Sequence, residues 1–202
     1  MTILRGNKTM NVYVDNHEKR EEFMNLWSQI AKERKYQVTD LKENSEAFIL
    51  KTKDGTSVGT IEFVPCEEKL LDMNDLVDIS NDTRILNDLK HSYQVRKMGV
   101  KKEFATKNVL LDLLKLAAMH AKNNQVRYYV SFLERNHYNK LTEKFKFRIE
   151  KVGEDVKMGK KTFVPAFIDV EDAINNTQGY PIYIKSIAYL VQGTKKVKAF
   201  FA

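Results

Sequence analysis

Residues 92–147 constrain this chain more than any other stretch. The run SYQVRKMGV at 92–100 lacks the spacing of an amphipathic helix and suits a largely buried strand, which ends at the basic pair Lys101-Lys102. A tight turn must follow. FATKN at 104–108 offers one, with Thr106 or Asn108 able to cap a helix whose apolar positions Val109, Leu110, Leu113, Leu114, Leu116, Ala117 and Ala121 recur at helical spacing. Asn123-Asn124 stops that helix. VRYYVSFL at 126–133, rich in aromatic and β-branched residues, reads as a second strand, and residues 137–145 read as a further helix. Two strands bridged by a helix over 107–122 form a crossover unit, so they are expected side by side and parallel.

A helix entered from a buried strand through a turn presents unpaired backbone N–H groups and the positive end of its dipole, which is a site for a phosphate. Most such turns bind nothing, and spacing alone does not choose between the two readings.

The flanking chain supplies the rest of a sheet. MNVYV at 10–14 alternates like a short strand, and Asp15 or Asn16 can cap the long helix that follows. Phe23, Leu26, Trp27, Ile30 and Ala31 form one apolar stripe on it, with acids toward its start and bases toward its end, as the helix dipole prefers. Apolar runs at 47–53 and 57–64 flank Asp54-Gly55, a strong hairpin signal, and this hairpin is expected in the same sheet on the Gln94 side. Residues 67–90 are polar and acid-rich and read as one or two short helices. Strands are expected at 148–152 and 161–170 about a turn at Gly159, then a short helix at 170–177 and an apolar segment at 182–191.

Length and charge narrow the classes. At 202 residues and 43% hydrophobic, the chain can bury one core, as a single domain or a domain with an appendage. No apolar run approaches the roughly 20 residues of a membrane span, and the first residues lack the apolar core of a signal peptide, so a soluble, cytoplasmic protein is expected. Cys66 is the only cysteine and reads as an incidental thiol. The four histidines are scattered, and no metal is expected. A net charge of +7 favours acidic partners such as phosphate-bearing cofactors or an acidic carrier protein, although a merely solvated basic surface fits equally. No nucleic-acid-binding signature is present, and no nucleic-acid partner is expected.

The order strand, helix, hairpin, strand, turn, helix, strand, helix and closing strands resembles that of the GNAT acyltransferases over roughly residues 10–170. VKKEFATKNVLL at 100–111 lies where GNAT enzymes carry their pyrophosphate loop, and LTEKFKF at 141–147 is similar to their closing pattern. The family's loop pattern Gln/Arg-x-x-Gly-x-Gly/Ala would fall at Ala105, Lys107 or Asn108, and Leu110, so its signature glycines are absent. KVGEDVKMGKKTFVPAFID at 151–169 resembles the end of the long-chain N-acyl amino acid synthases, neighbours of the acyl-homoserine-lactone synthases. The strand pattern Glu-x-x-Arg of that group would place Gln94 at the acid and Lys97 at the arginine, both departures.

The resemblance implies an α/β (α+β) fold: a GNAT-like mixed central sheet flanked by helices, with a splayed pair of neighbouring parallel strands. It implies a GNAT-like acyltransferase domain over 1–170, with 171–202 a C-terminal helical or extended appendage packed on it. It further implies an N-acyltransferase moving an acyl group from an acyl thioester, held on coenzyme A or on the phosphopantetheine of an acyl carrier protein, to the amine of a small molecule such as an amino acid. An acetyl-CoA-dependent N-acetyltransferase and a catalytically inactive GNAT-like binding module are the alternatives. In this reading Met98, Gly99 and Val100 line the strand that pairs with pantetheine, Gly99 allowing close approach by its missing side chain. The backbone N–H groups of Thr106, Lys107, Asn108 and Val109 hold the pyrophosphate. Glu134 is the candidate base, and Gln94 stands at the acid position of the strand pattern. Tyr138 substitutes for the family's thiolate-protonating tyrosine, whose place falls at Thr142. Arg96, Lys97, Lys101, Lys102 and Lys107 crowd the mouth where either donor would dock.

Overall fold

The computed structural model describes residues 9–66 and 82–192. In chain order the elements are β1 (Met10–Tyr13), α1 (His17–Arg34), β2 (Glu46–Lys51), β3 (Ser57–Pro65), α2 (Thr83–Asn87), β4 (Ser92–Val100), α3 (Lys107–Asn123), β5 (Tyr128–Glu134), α4 (Arg135–Asn139), β6 (Glu150–Lys151), β7 (Val156–Met158), β8 (Lys161–Asp169), α5 (Val170–Asn175) and α6 (Ile182–Gln192). The strands form one mixed sheet in the order β1-β2-β3-β4-β5-β8-β6, with β7 also on β8. β4 and β5 pair parallel, joined through α3, as the crossover pattern requires. The hairpin strand β3 lies beside β4, on the side expected.

The chain divides into two compact units. The first comprises the chain through Val64 together with Val95–Ala117. Here Asn16 caps α1, its side chain accepting from the Lys19 N–H at 2.9 Å, and the helix ends where Lys35 turns left-handed at φ 56°. The stripe Phe23, Leu26, Trp27, Ile30 and Ala31 is buried against Leu41, Ala47 and Ile49. Trp27 is thus a core residue, stacked on Tyr36 at 6.3 Å between ring centroids. β2 and β3 pair antiparallel from Glu46↔Phe63 to Lys51↔Ser57, turning through Gly55 at φ 86°.

The second unit holds Pro65–Gln94 and the chain from Ala118 onward. β5 and β8 pair antiparallel along their full facing length, Tyr128↔Asp169 to Glu134↔Phe163. Cys66, Ile85, Val130 and Phe167 form its core cluster. The Arg84 guanidinium lies 4.0 Å over the Phe167 ring and bonds both Asp82 and Glu150. The strand expected at 148–152 shortens to Glu150–Lys151. The helix expected at 137–145 begins earlier, at Arg135, and continues as a π turn over Lys140–Lys144, with the Phe145 N–H reaching the Lys140 carbonyl. Of the segment read as short helices, α2 and a 3₁₀ turn at Leu89–His91 are described, and residues 67–81 lie outside the described residues.

Candidate functional site

The parallel ladder between β4 and β5 runs only from Ser92↔Tyr128 through Tyr93↔Tyr129 to Gln94↔Val130, whereas the strands continue to Val100 and Glu134. The second half of β4 belongs to the first unit, and its backbone is bent there. Lys97 sits at φ 43°, a left-handed conformation costly for any residue with a Cβ and otherwise the habit of turns. The Thr60 hydroxyl donates to the Lys97 carbonyl at 2.7 Å, and a Cβ built on Gly59 would lie 2.9 Å from the Gly99 carbonyl, so Lys97 and Gly99 turn their carbonyls to β3. By strand alternation Met98, between them, turns its N–H and C=O to the opposite edge.

The bend is clamped by charge. The Lys97 ammonium, nearly fully buried, donates to Glu62 Oε2 at 2.6 Å and to the Asp40 carbonyl at 2.8 Å. Glu62 is wholly buried in β3, its Oε1 accepts the Lys42 N–H at 2.9 Å, and the Arg96 Nε stands 3.7 Å from its Oε2. A buried carboxylate is tolerable only with such partners. By sequence Arg96 and Lys97 are expected among the bases at a docking mouth. The structure instead commits Lys97 to an interior ion pair and leaves Arg96 mostly buried beside it, while Lys102 and Lys107 lie exposed and Lys101 half-buried. Glu62 belongs to no motif, and its one signal in the sequence is a carboxylate inside the apolar run VGTIEFV.

At the end of β4 the Val100 carbonyl accepts from Arg34 at 3.1 Å, and the Lys102 N–H donates to Glu33 at 2.9 Å. A 3₁₀ turn at Lys102–Phe104 leads to α3. Thr106 caps that helix: its hydroxyl accepts the Val109 N–H at 3.4 Å and its carbonyl the Leu110 N–H at 3.2 Å. Thr106, Lys107 and Asn108 are exposed while Val109 is buried, and the Asn108 N–H meets no acceptor among the described residues. Gly99 serves the packing of α1. A Cβ there would meet Ile30 Cγ2 at 2.7 Å and Trp27 Cζ3 at 3.5 Å, so the space left by its missing side chain is filled from within.

The other three candidates belong to the second unit. Gln94 is 4% exposed, and its Oε1 has no hydrogen-bond partner among the described residues, a costly state for a buried amide oxygen. Glu134 closes β5 and pairs with the Lys161 ammonium at 2.7 Å. It lies four residues beyond Val130, the partner of Gln94, hence about 13 Å along the strand at 3.3 Å per residue. The Tyr138 hydroxyl, on α4, donates to the Ile149 carbonyl at 3.4 Å, and the Thr142 hydroxyl bonds back to the Tyr138 carbonyl. In the same unit His120 is buried with Nδ1 2.7 Å from the Tyr129 hydroxyl and its ring edge-on to Tyr93, and burial pushes its pKa down to about 4. Burial likewise pushes the Cys66 thiol up to about 12, which leaves it protonated and inert.

No family model and no curated protein matches the sequence. Solved structures do match. FeeM, an N-acyl amino acid synthase from uncultured soil microbes, superposes with a TM-score of 0.66 at 11% identity, over 83% of this chain and 94% of its own. BjaI, a CoA-dependent acyl-homoserine lactone synthase with SAM and isopentyl-CoA, gives 0.61 at 9% identity, over 92% and 90%. A protein assigned as an N-acetyltransferase from Lactobacillus plantarum gives 0.58 at 12% identity, over 81% and 99%. The chain therefore has the GNAT fold that its sequence resembles, shared with N-acyl amino acid and acyl-homoserine lactone synthases.

Proposed function

We propose that this chain is an N-acyltransferase that moves a long acyl group from a thioester to the amine of a small molecule such as an amino acid. The observation that carries the reading is the early end of the parallel ladder at Gln94↔Val130, beyond which β4 runs on with the Met98 backbone turned away from β3. An amide-bearing pantetheine arm adds to such an edge as a short strand does, through main-chain hydrogen bonds. The exposed start of α3, at Thr106, Lys107 and Asn108, suits the donor's phosphate through the N–H groups and dipole of a long helix.

In the reaction the acceptor nitrogen attacks the thioester carbonyl, a C–N bond forms, the C–S bond breaks, and the thiolate leaves with a proton. Holding the two reactants together supplies much of the rate, and a base need only take the ammonium proton. Glu134 takes that part once the acceptor displaces Lys161, and Tyr138 returns a proton to the thiolate. Gln94 Oε1, without a partner among the described residues, lies about 13 Å from Glu134 along the strand, too far to bond the nitrogen that Glu134 deprotonates. The donor is acyl carrier protein or acyl-CoA. The accessible Lys101, Lys102 and Lys107 favour the acidic carrier, whose association then weakens as salt screens the attraction. Transfer from acetyl-CoA is the second reading, favoured by the similarity to the N-acetyltransferase structure.

The test is thiol release from decanoyl-CoA, decanoyl-acyl carrier protein and acetyl-CoA across a panel of amino acids, with the product identified by mass. N-decanoyl amino acid, formed faster from the carrier at low salt, is expected. Turnover of acetyl-CoA alone moves the assignment to the second reading. Absence of both turnover and binding for every thioester refutes the acyltransferase reading altogether.

A further inference from the structure

The buried charges of the first unit do more than satisfy one another. Four contacts converge on residues 39–42, which link α1 to β2. The Arg96 guanidinium reaches the Thr39 hydroxyl at 3.4 Å, the Lys97 ammonium the Asp40 carbonyl at 2.8 Å, the Arg20 guanidinium the Leu41 carbonyl at 2.7 Å, and Glu62 accepts the Lys42 N–H at 2.9 Å. Leu41 is buried among the residues of α1. The same Lys97 whose side chain holds this segment is the residue whose left-handed backbone bends β4, and its carbonyl is fixed by Thr60. Loop and bend therefore share one ion pair.

We propose that Glu62 and Lys97, with Arg96, form a positioning network that locks the 39–42 segment and the Met98–Val100 backbone into one arrangement, and so sets the affinity for the acyl donor. The part concerning the donor rests on the acyltransferase reading. Neither residue touches the donor. They act through the backbone they hold. An ion pair is a demanding means of filling this space, since apolar side chains of similar volume often stabilise a fold as well or better. What the pair adds is direction: an ammonium with three donors ties a carboxylate and a carbonyl at once, which an apolar pair cannot do.

That difference supplies the test. Lys97→Met leaves Glu62 buried without its ammonium and lowers the urea midpoint, whereas the double variant Glu62→Leu, Lys97→Met removes both charges and restores it. Two readouts separate positioning from stability: amide hydrogen exchange over 39–42 and 98–100 in the ligand-free protein, and equilibrium binding of decanoyl-CoA. In the double variant exchange over both segments is expected to quicken by about tenfold, and decanoyl-CoA to bind about tenfold more weakly, as expected for lost hydrogen bonds to charged groups. Wild-type exchange in a stable double variant overturns the proposal. So does quickened exchange with unchanged decanoyl-CoA affinity. Should the double variant not fold, Glu62→Gln, which keeps an acceptor for Lys42 but loses the charge, is read the same way. If the wild-type chain binds no thioester, the acyltransferase reading fails, while the exchange measurement still decides the clamp.

Discussion

Gly99→Ala places a methyl carbon 2.7 Å from Ile30 Cγ2 and 3.5 Å from Trp27 Cζ3. Carbon atoms pack best at about 3.5–4.0 Å, so the first contact is short by about 1 Å. Ile30 is fully buried in α1, and a β-branched side chain in a helix has essentially one rotamer, so its methyl cannot swing aside. Relief requires α1 to move against the sheet, and overpacking of this kind costs about 1–3 kcal/mol. Gly99 does not have a positive φ, so alanine can adopt its backbone and recovers about 0.4–1 kcal/mol through the unfolded chain. The net expectation is a loss of about 1–2 kcal/mol. With a urea slope of about 2 kcal/mol per M, the midpoint falls by about 0.5–1 M. Ile30→Leu moves the branch from Cβ to Cγ and removes the offending methyl. Adding Gly99→Ala to that background should therefore cost less than adding it to the wild type, a favourable coupling in a double-mutant cycle. A Gly99→Ala protein of wild-type stability but reduced thioester affinity would refute this reasoning and return the glycine to a role in ligand approach.

Three further expectations follow from single residues. His120, with a pKa of about 4 in the fold against about 6.5 in the unfolded chain, leaves the unfolded state binding more protons between those values, so its contribution is intact above pH 6.5 and lost on acidification, by about 3 kcal/mol at pH 4. His120→Gln should flatten the fall in urea midpoint between pH 7 and pH 4.5, and an unchanged fall would show that other groups cause it. Cys66 should react with a thiol reagent at pH 8.5 about a thousandfold more slowly in the native than in the unfolded chain, and comparable rates would contradict its burial. Asn108→Pro should weaken decanoyl-CoA binding by removing one N–H from the first turn of α3 while leaving circular dichroism unchanged, since proline is tolerated there; unaltered affinity would count against a phosphate at that helix start.

Local chemistry made much of the fold legible. The stripe from Phe23 to Ala31, the Asp54-Gly55 turn and the Thr106 cap each act within a few residues, so periodicity and turn preference reveal them without any knowledge of neighbours. The parallel pairing of β4 and β5 followed because a strand, a helix and a strand of these lengths close in few ways. The end of their ladder at Gln94 was decided by tertiary structure, through a bend at a lysine that no turn residue announces. Lys97 and Arg96 read as surface bases because such residues are almost always exposed, and only the packing of β3 against β4 brings Glu62 within reach to bury them. Gly99 read as an opening for a ligand because a sequence shows that a side chain is missing, and not that Ile30, on a helix distant in the chain, occupies the space. Pairings between residues far apart in sequence depend on register and helix placement, which the global packing of apolar faces determines and no local pattern encodes.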